Sequence, residues 1–184
     1  MANGNEPDEW LMAQVALGKR EHLNLLVRRY ADRLLTFIHR LVGDRHRSEE
    51  LFQDVFLAVW THSRQYQYPR PFKSWLWGIA VKKCHAALRR ESFWSGRTLG
   101  DSGQLISLHA APPDAAIQCE TETVVAEAVA RVPDGQRIVL LLRIWEGLSY
   151  EEIASITGRS ESTVRSHMFH GLKSVRKYLE PRMR

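Results

Sequence analysis

The sequence predicts an all-α protein made of two small helical domains joined by a flexible linker. Apolar residues recur at three- and four-residue spacing along most of the 184-residue chain, with no alternating strand pattern or hairpin signal. One stretch, residues 92–116, has no sustained period and is rich in Gly, Ser and Pro. We therefore expect domains at 1–91 and 117–184, with the linker at 92–116 between them.

The first domain is expected to hold four helices. The apolar period predicts, in order, Leu11–Ala16, Leu23–Val42, Glu49–Trp60 and Phe72–Leu88. On the last helix Phe72, Trp75, Leu76 and Ile79 have the spacing of a core stripe, and Trp77 lies off it. The same period predicts four helices in the second half, at Ile117–Arg131, Asp134–Trp145, Tyr150–Thr157 and Glu161–Leu179.

The last two helices carry local start and stop signals. Ser149 and Glu152 have the spacing of a capping box, which satisfies the first free N–H groups of a helix. Gly158 can adopt the left-handed conformation that ends this helix, and Ser160 can cap the next one. Two helices joined by so short a turn predict a helix-turn-helix in the C-terminal domain.

The second helix of this motif has an apolar and a polar side. We expect Val164, Met168, Leu172 and Val175 to face inward. The outward side chains of its N-terminal half are expected to be Ser162, Thr163, Arg165, Ser166, Phe169 and His170. Short polar side chains and an arginine suit the base edges of a DNA major groove. A plain helical hairpin would share the caps and the turn, and only the nearby cations favour DNA over it.

Charge is concentrated in two basic blocks. The formal net charge is +5, but residues 70–97 carry +6 and residues 159–184 carry +5, which leaves −6 for the rest. Clustered cations are favoured by a phosphate backbone because binding releases its counterions. The two blocks therefore indicate two places that contact nucleic acid, the alternative being solvated helix faces.

Other classes of site find little support in the sequence. Cys84 and Cys119 form no CxxC pair, and we expect reduced thiols rather than a disulfide, a redox switch or a zinc site. His167 and His170 have a spacing that would permit a metal pair, but no carboxylate or thiol close in sequence completes one. No catalytic constellation is visible, so we expect neither an enzyme nor a cofactor. The acidic N-terminus and the lack of a long apolar run predict a soluble, cytoplasmic protein.

Three motifs resemble a known family. The stretches "RSEELFQDVFLAVW" and "FKSWLWGIAVKKCHAALRR" look like the second region of bacterial sigma factors of the sigma-70 family. "VPDGQRIVLLLRIWEG" followed by "LSYEEIASITGRSESTVRSHMFHGLKSVRKYL" looks like their fourth region. The order of the two regions, with a linker in place of the third, is similar to the short extracytoplasmic-function group.

The resemblance implies roles for particular residues. It implies that the N-terminal domain binds core RNA polymerase, melts the promoter and contacts the minus-10 element, and that the C-terminal domain contacts the minus-35 element. The implied polymerase-binding residues are Glu50, Leu51, Gln53, Asp54 and Phe56. The alternative for the apolar Leu51 and Phe56 is a place in the domain core, which favours Gln53 and Asp54 as the interface. Those implied for the minus-10 element and the single strand are Tyr68, Lys73, Trp77, Lys82, Lys83, Arg89 and Arg90. For the minus-35 element they are Ser160, Ser162, Thr163, Arg165, Ser166, His167, Phe169 and His170.

The chain departs from the family pattern at several of these positions. Gly78 and Val81 stand where arginine is common, and Lys82 stands where asparagine is common. His167 and His170 occupy positions where arginine is frequent. The resemblance further implies promoter DNA, core polymerase and, in many members, an anti-sigma factor as partners. The alternatives are an autonomous regulator of the response-regulator type and an enzyme acting on nucleic acid, but the first half lacks the βα alternation of a receiver domain.

Overall fold

The computed structural model describes residues 6–95 and 124–182, with the backbone alone for 91–95. The first four helices are α1 Asp8–Ala16, α2 Arg20–Val42, α3 Arg45–Thr61 and α4 Phe72–Ser95. After the gap come α5 124–130, α6 Asp134–Leu140, α7 Tyr150–Thr157 and α8 Glu161–Leu179. A π-helical turn, Leu141–Trp145, continues α6. Within the described ranges the chain is thus all-α, as predicted.

Helices α1 to α4 form the N-terminal unit around one apolar core. Helix α2 packs against both α1 and α3, and α3 packs against α4. The connection between α2 and α3 is short because Gly43, at φ 83°, ends α2 and the Asp44 side chain accepts a hydrogen bond from the Arg47 amide at 2.7 Å. Tyr30 donates to Asp8 at 2.5 Å and thereby holds the start of α1 against α2.

Helices α6, α7 and α8 form most of the C-terminal unit. The Ser149 and Glu152 capping box, the left-handed Gly158 and the Ser160 cap are all present, so the predicted helix-turn-helix is confirmed. Helix α8 comes very close to α6 at the buried Gly171, where an added Cβ would lie 2.9 Å from Leu140 Cδ1.

The two units contact each other directly. Helix α7 packs against α4, and α6 lies against α2. The buried Arg137 side chain donates at 2.8 Å to the carbonyl of Leu41 in the last turn of α2, and at 2.9 Å to that of Val132. The last carbonyls of a helix have no hydrogen-bond donor within the helix, and Arg137 supplies a donor to one of them across the contact between the units.

The predicted orientation of two helices was partly wrong. Trp77 is fully buried and lies 4.9 Å from Phe37, ring centre to ring centre, although the sequence placed it off the core stripe of α4. Leu172, predicted to face inward on α8, is 44% exposed, and the neighbouring Gly171 is buried instead. In α4 the buried stripe runs through Trp77, Ala80, Cys84 and Leu88.

The predicted linker lies mostly outside the described residues. Helix α4 continues to Ser95, four residues beyond the expected end of the first domain at 91. Residues 96–123 are not described, and this range includes the rest of the linker, the start of the helix predicted at Ile117–Arg131, and Cys119. The described helices include none that is long and apolar enough to cross a membrane.

Candidate nucleic-acid and protein interfaces

The outward face of α3 carries a mixed polar and apolar surface. Glu50, Gln53 and Asp54 are exposed, and Leu57 beside them is 62% exposed. Leu51 and Phe56 are each only 7% exposed and belong to the core, so neither offers a side chain to a partner in this conformation. The apolar side chain available on this face is therefore Leu57.

A groove separates α3 from the C-terminal half of α4. Lys83 Nζ lies 3.5 Å from Asp54 Oδ2 across this groove, and Arg47 donates at 2.8 Å to the Ala87 carbonyl at its base. Arg90 also lines the groove, next to Glu50 and Gln53. The tertiary structure thus places cations of α4 beside the polar face of α3.

The other side of α4 bears aromatic and basic side chains. Tyr68, in the loop before the helix, is 64% exposed, Trp75 is half-buried and Lys82 is exposed. Gly78 lines the same groove as Trp75 and Lys82 and leaves open space there, because apart from the backbone of its own helix and its chain neighbours no atom lies within 4 Å of where its Cβ would be. A flat side chain beside cations is the arrangement that captures unstacked bases, and Trp75 rather than Trp77 occupies that position here.

The buried carboxylate of Glu146 stands where the two units meet. It is 4% exposed, its Oε2 lies 2.9 Å from an Arg33 guanidinium nitrogen, and its backbone carbonyl accepts from Lys73. Burial raises the pKa of Glu146, and the cations Arg33 and Lys73 act in the opposite direction. Burial likewise lowers the pKa of Lys73, with Arg33 the next cause.

The outer face of α8 is polar and accessible near its N-terminus. The Ser160 hydroxyl, which caps the helix, is 2.9 Å from that of Ser162 and 2.8 Å from that of Thr163, so three hydroxyls cluster at the start of α8. Arg165 pairs with Glu161 and lies over the Tyr150 ring, 4.5 Å from its centre. Both contacts orient the guanidinium at the exposed surface. Ser166, Phe169 and His170 are exposed on the same half of the helix.

His167 differs from its neighbours on α8. Its Nδ1 lies 3.2 Å from the Gly135 carbonyl, and its Nε2 lies 3.2 Å from an Arg159 guanidinium nitrogen. A neutral ring donates to the first and accepts from the second. Partial burial, and then Arg159, lower the pKa of His167. Both ring nitrogens are therefore engaged within the unit, which leaves Arg159 as the nearby exposed donor.

Metal and redox sites find no support among the described residues. Residues 6–95 and 124–182 contain no group of three or more His, Cys, Asp or Glu side chains that could hold a metal ion. Cys84 is fully buried, and burial raises the pKa of its thiol to about 12. Such a thiol is almost entirely protonated at neutral pH and therefore a poor nucleophile.

Two family models match the chain, one on each unit. The model "Sigma-70 region 2" matches residues 26–93, and "Sigma-70, region 4" matches residues 123–175. The RNA polymerase sigma-H factor of Pseudomonas aeruginosa is 30% identical over 97% of this chain and 97% of its own length.

The chain belongs to the sigma factor family. Within it, the extracytoplasmic-function group contains the ECF RNA polymerase sigma factor SigW of Bacillus subtilis, which is 24% identical over 90% of this chain and 93% of its own. The predicted membership in that group is confirmed.

Solved structures share the fold of this sigma factor. CnrH, determined in complex with the cytosolic domain of CnrY, superposes with a TM-score of 0.72 at 22% identity, over 96% of this chain and 99% of the other. The sigma factor RpoE of Bartonella quintana, determined with the anti-sigma factor NepR, has a TM-score of 0.70 at 19% identity, over 85% and 96% of the two chains.

The sigma factor places its exposed candidate residues on three surfaces. Region 2 presents the outer face of α3 and the aromatic and basic face of α4, and region 4 presents the outer face of α8. The candidates exposed in this conformation are Glu50, Gln53, Asp54, Tyr68, Lys82, Arg89, Arg90, Ser160, Ser162, Arg165, Ser166, Phe169 and His170. Lys73, Lys83, Thr163 and His167 are half-buried, and Leu51, Phe56 and Trp77 are buried.

Sequence reasoning missed two residues of this sigma factor that the structure makes prominent. Leu57 is the exposed apolar side chain of α3, and its position one turn after Gln53 and Asp54 was a usable signal. Glu146 gave no signal, because its partners Arg33 and Lys73 are 113 and 73 residues away in sequence.

Proposed function

We propose that the protein is an alternative sigma factor that binds core RNA polymerase and directs promoter-specific transcription initiation. The observation that carries this proposal is the match to two family models, region 2 followed by region 4, each on its own helical unit. In each unit one helix, α3 or α8, keeps an exposed face that is available to a partner. The protein supplies binding and positioning, and the polymerase supplies the chemistry.

The polymerase contact is assigned to the outward face of α3. Gln53, Asp54 and Glu50 provide polar groups that set register, and Leu57 provides an apolar anchor. An interface patch of this kind concentrates its binding energy in a few desolvated side chains surrounded by polar ones. Leu51 and Phe56 support this surface from beneath by holding α3 on the core.

Capture of the melted strand is assigned to α4 and the loop before it. Tyr68 and Trp75 offer stacking surfaces, and Lys73 and Lys82 offer cations for the phosphates. Lys83, Arg89 and Arg90 extend the positive surface along the helix. Aromatic stacking beside a cationic track is the usual means of holding single-stranded DNA.

Contact with the minus-35 element is assigned to the N-terminal half of α8. Ser162, Arg165 and Ser166 are exposed where a recognition helix meets base edges, and Phe169 and His170 follow on the next turn. The Ser160 cap leaves the helix N-terminus facing outward, where its dipole favours a phosphate. Lys173, Arg176 and Lys177 lie further along the helix, within reach of the backbone or solvent.

Run-off transcription with core polymerase and a library of randomised promoters tests this function directly. We expect core polymerase to start transcription at a defined promoter set only when the protein is added. Non-specific initiation alone would contradict the proposal. Binding of a specific double-stranded site without polymerase would instead support an autonomous regulator.

A partner protein and a location complete the proposal. We propose an anti-sigma factor as the inhibitor, because RpoE of Bartonella quintana, which shares the fold, was determined in complex with one. Pull-down from the source cell with and without competing core polymerase would identify it. A cytoplasmic location follows from the proposed action on RNA polymerase, and cell fractionation would check it.

A further inference from the structure

Arg159 lies in the turn of the helix-turn-helix, directly before the residue that caps α8. Gly158, at φ 66°, makes the turn, and the Arg159 side chain that follows it is exposed. One guanidinium nitrogen of Arg159 lies 3.2 Å from Nε2 of His167, which is on the second turn of α8. The other ring nitrogen, Nδ1, lies 3.2 Å from the Gly135 carbonyl at the start of α6. His167 therefore links the turn to α6 and holds the Arg159 side chain beside α8.

Gly135 leaves the space that this arrangement occupies. A Cβ at that position would lie 3.2 Å from His167 Cε1 and 3.3 Å from Arg159 Nη2, so any side chain there would push against both. The position of the arginine is thus set by three segments of the C-terminal unit, namely the start of α6, the turn and the second turn of α8.

The charge of Arg159 is not neutralised by a carboxylate. Arg165 pairs with Glu161, whereas in the part of the chain that the structure describes Arg159 has no carboxylate as an ion-pair partner. Partial burial, followed by Arg159 itself, lowers the pKa of His167, so the neutral ring predominates at neutral pH and offers Nε2 as an acceptor. A neutral acceptor fixes the direction of the guanidinium and leaves its positive charge and its remaining N–H donors available to a ligand.

The pair lies on the flank of α8 and not on the face assigned to base edges. At about 3.6 residues per turn, His167 lies between the exposed face that carries Ser166 and the buried face that carries Val164. An α-helix nearly fills the width of a DNA major groove, so its flanks run alongside the phosphates of the two strands. A cation fixed on the flank is therefore placed for the phosphate backbone, and the face with Ser166 is placed for the bases.

We propose that Arg159 contacts a backbone phosphate at the edge of the minus-35 element, and that His167 is a positioning residue that presents the Arg159 guanidinium to it. This rests on the proposed function, because α8 enters a major groove only in that case. The contact fixes the register of α8 on the promoter without reading sequence. It also extends the DNA-binding surface from α8 to the turn that precedes it.

Promoter affinity of the holoenzyme at a series of salt concentrations tests the phosphate contact. Each variant is assembled with core polymerase, and binding to a fluorescent double-stranded promoter is measured by anisotropy. Arg159→Ala is expected to reduce the slope of log affinity against log salt by about one unit, a loss of about tenfold at about 0.1 M salt. Base preference in a randomised promoter library should stay the same.

Arg131→Ala is the matched control for this charge change. Arg131 is an exposed arginine of the same unit, and it lies over the Tyr178 ring near the other end of α8. Its replacement removes the same charge from the unit without touching the turn. We expect the salt slope of this variant to equal that of the unmodified protein.

A double-variant cycle tests the role of His167. If the ring acts through Arg159, His167→Ala weakens binding less than Arg159→Ala does and causes no further loss once Arg159 has been replaced. His167→Gln is the conservative variant, because an amide both donates and accepts, and it is expected to keep the full salt slope. It keeps the proposal testable if the alanine variant loosens the contact with α6, which thermal unfolding of the free proteins detects.

Three results would overturn the proposal. An unchanged salt slope in Arg159→Ala would mean that this arginine only packs within the protein. A changed base preference in the same variant would mean that Arg159 reads a base. Additive losses in the double variant would mean that His167 contacts DNA independently of Arg159. Failure of the proposed function is distinct from these results, because it would leave the unmodified holoenzyme without promoter-specific binding and initiation.

Discussion

Lys83 on α4 and Asp54 on α3 form an ion pair, with Lys83 Nζ 3.5 Å from Asp54 Oδ2. The pair joins a residue assigned to the promoter strand with one assigned to polymerase. Both side chains are about half exposed, so the pair adds little to the free energy of unfolding. Its importance is positional, since a polymerase subunit docked on α3 would lie directly beside the cations of α4.

The polar part of the α3 surface should be separable from folding. Replacing Gln53 and Asp54 together with Ala is expected to weaken holoenzyme formation, because both side chains are exposed on the face of α3 that we assign to polymerase. The melting temperature should stay nearly unchanged, as is usual for surface substitutions. Interferometry with immobilised core polymerase measures the affinity. An affinity equal to that of the unmodified protein would show that this face of α3 is not part of the polymerase interface.

Leu57 and Leu51 should behave in opposite ways. Leu57→Ala removes an exposed apolar anchor and is expected to reduce polymerase affinity without changing stability. Leu51→Ala leaves a cavity in the core and is expected to cost about 2 to 5 kcal/mol of unfolding free energy. Thermal unfolding and polymerase binding are measured on both. Equal loss of stability in the two variants would show that Leu57 is a packing residue.

Substitutions of Arg165 and Lys177 should have different effects on promoter recognition. Arg165→Ala is expected to cost about 1 to 3 kcal/mol and relax base preference at one upstream position, because Glu161 and Tyr150 orient its guanidinium at the surface that we assign to the major groove. Lys177→Ala is expected to weaken all promoters alike and reduce the salt dependence by about one unit.

A randomised promoter library read out by transcription measures both effects. Val164→Asp is the control for unfolding, since it places a charge at a fully buried position. It should abolish transcription from every promoter alike. Unaltered upstream base preference in Arg165→Ala would mean that α8 is not the recognition helix.

Two glycines should respond to alanine with opposite signs. A Cβ at Gly171 would lie 2.9 Å from Leu140 Cδ1 and 3.1 Å from Cγ, in a buried contact. The overpacking is expected to cost about 1 to 3 kcal/mol and to exceed any gain in helix propensity. Gly78 has open space around it, and Gly78→Ala is expected to stabilise α4 by about 0.5 to 1 kcal/mol. Denaturant unfolding of both variants checks the signs, and a stabilised Gly171→Ala would contradict the close packing of α6 and α8.

Acidification should act on the contact between the units through His85. Burial, followed by Arg159 of the other unit, lowers the pKa of His85 below its usual value of 6.5. Such a group adds stability that is present above about pH 6.5 and is lost as the pH falls through the lowered pKa. The units should therefore separate on acidification, and His85→Gln should reduce this response.

Acidification is expected to change the contact through Glu146 in the opposite direction, so the effect of Glu146 has to be measured separately from that of His85. Its raised pKa means that its contribution to the closed form grows as the pH falls and it becomes protonated. The distance between spin labels at the exposed positions Gln65→Cys and Ser174→Cys, one in each unit and with Cys119→Ser, is therefore measured on His85→Gln, Glu146→Gln and the double variant. A response to pH that survives unchanged in the double variant would exclude both groups as its source.

The sequence by itself determined which helices form and where the two helices of the helix-turn-helix begin and end. Ser149 with Glu152, Gly158 and Ser160 act within one helical turn, so their signals can be seen without knowing the rest of the fold. The family could likewise be inferred, because its motifs are contiguous and occur in order. These features depend on residues three or four positions apart, and helix geometry alone decides how such residues meet.

Only the tertiary structure decided which faces of the helices remain exposed. Helix α4 has apolar residues around much of its circumference, so periodicity allowed a stripe through Trp75 as well as the one through Trp77 that the core selects. Packing of the core likewise decided which side of α3 is buried, and Leu57 lies on the side that remains exposed. The meeting of Arg33 with Glu146 depends on how two units pack, and no local pattern encodes a contact across 113 residues. Burial and ion pairing at that distance are properties of the assembled core, in which each side chain's environment is set by helices distant in sequence.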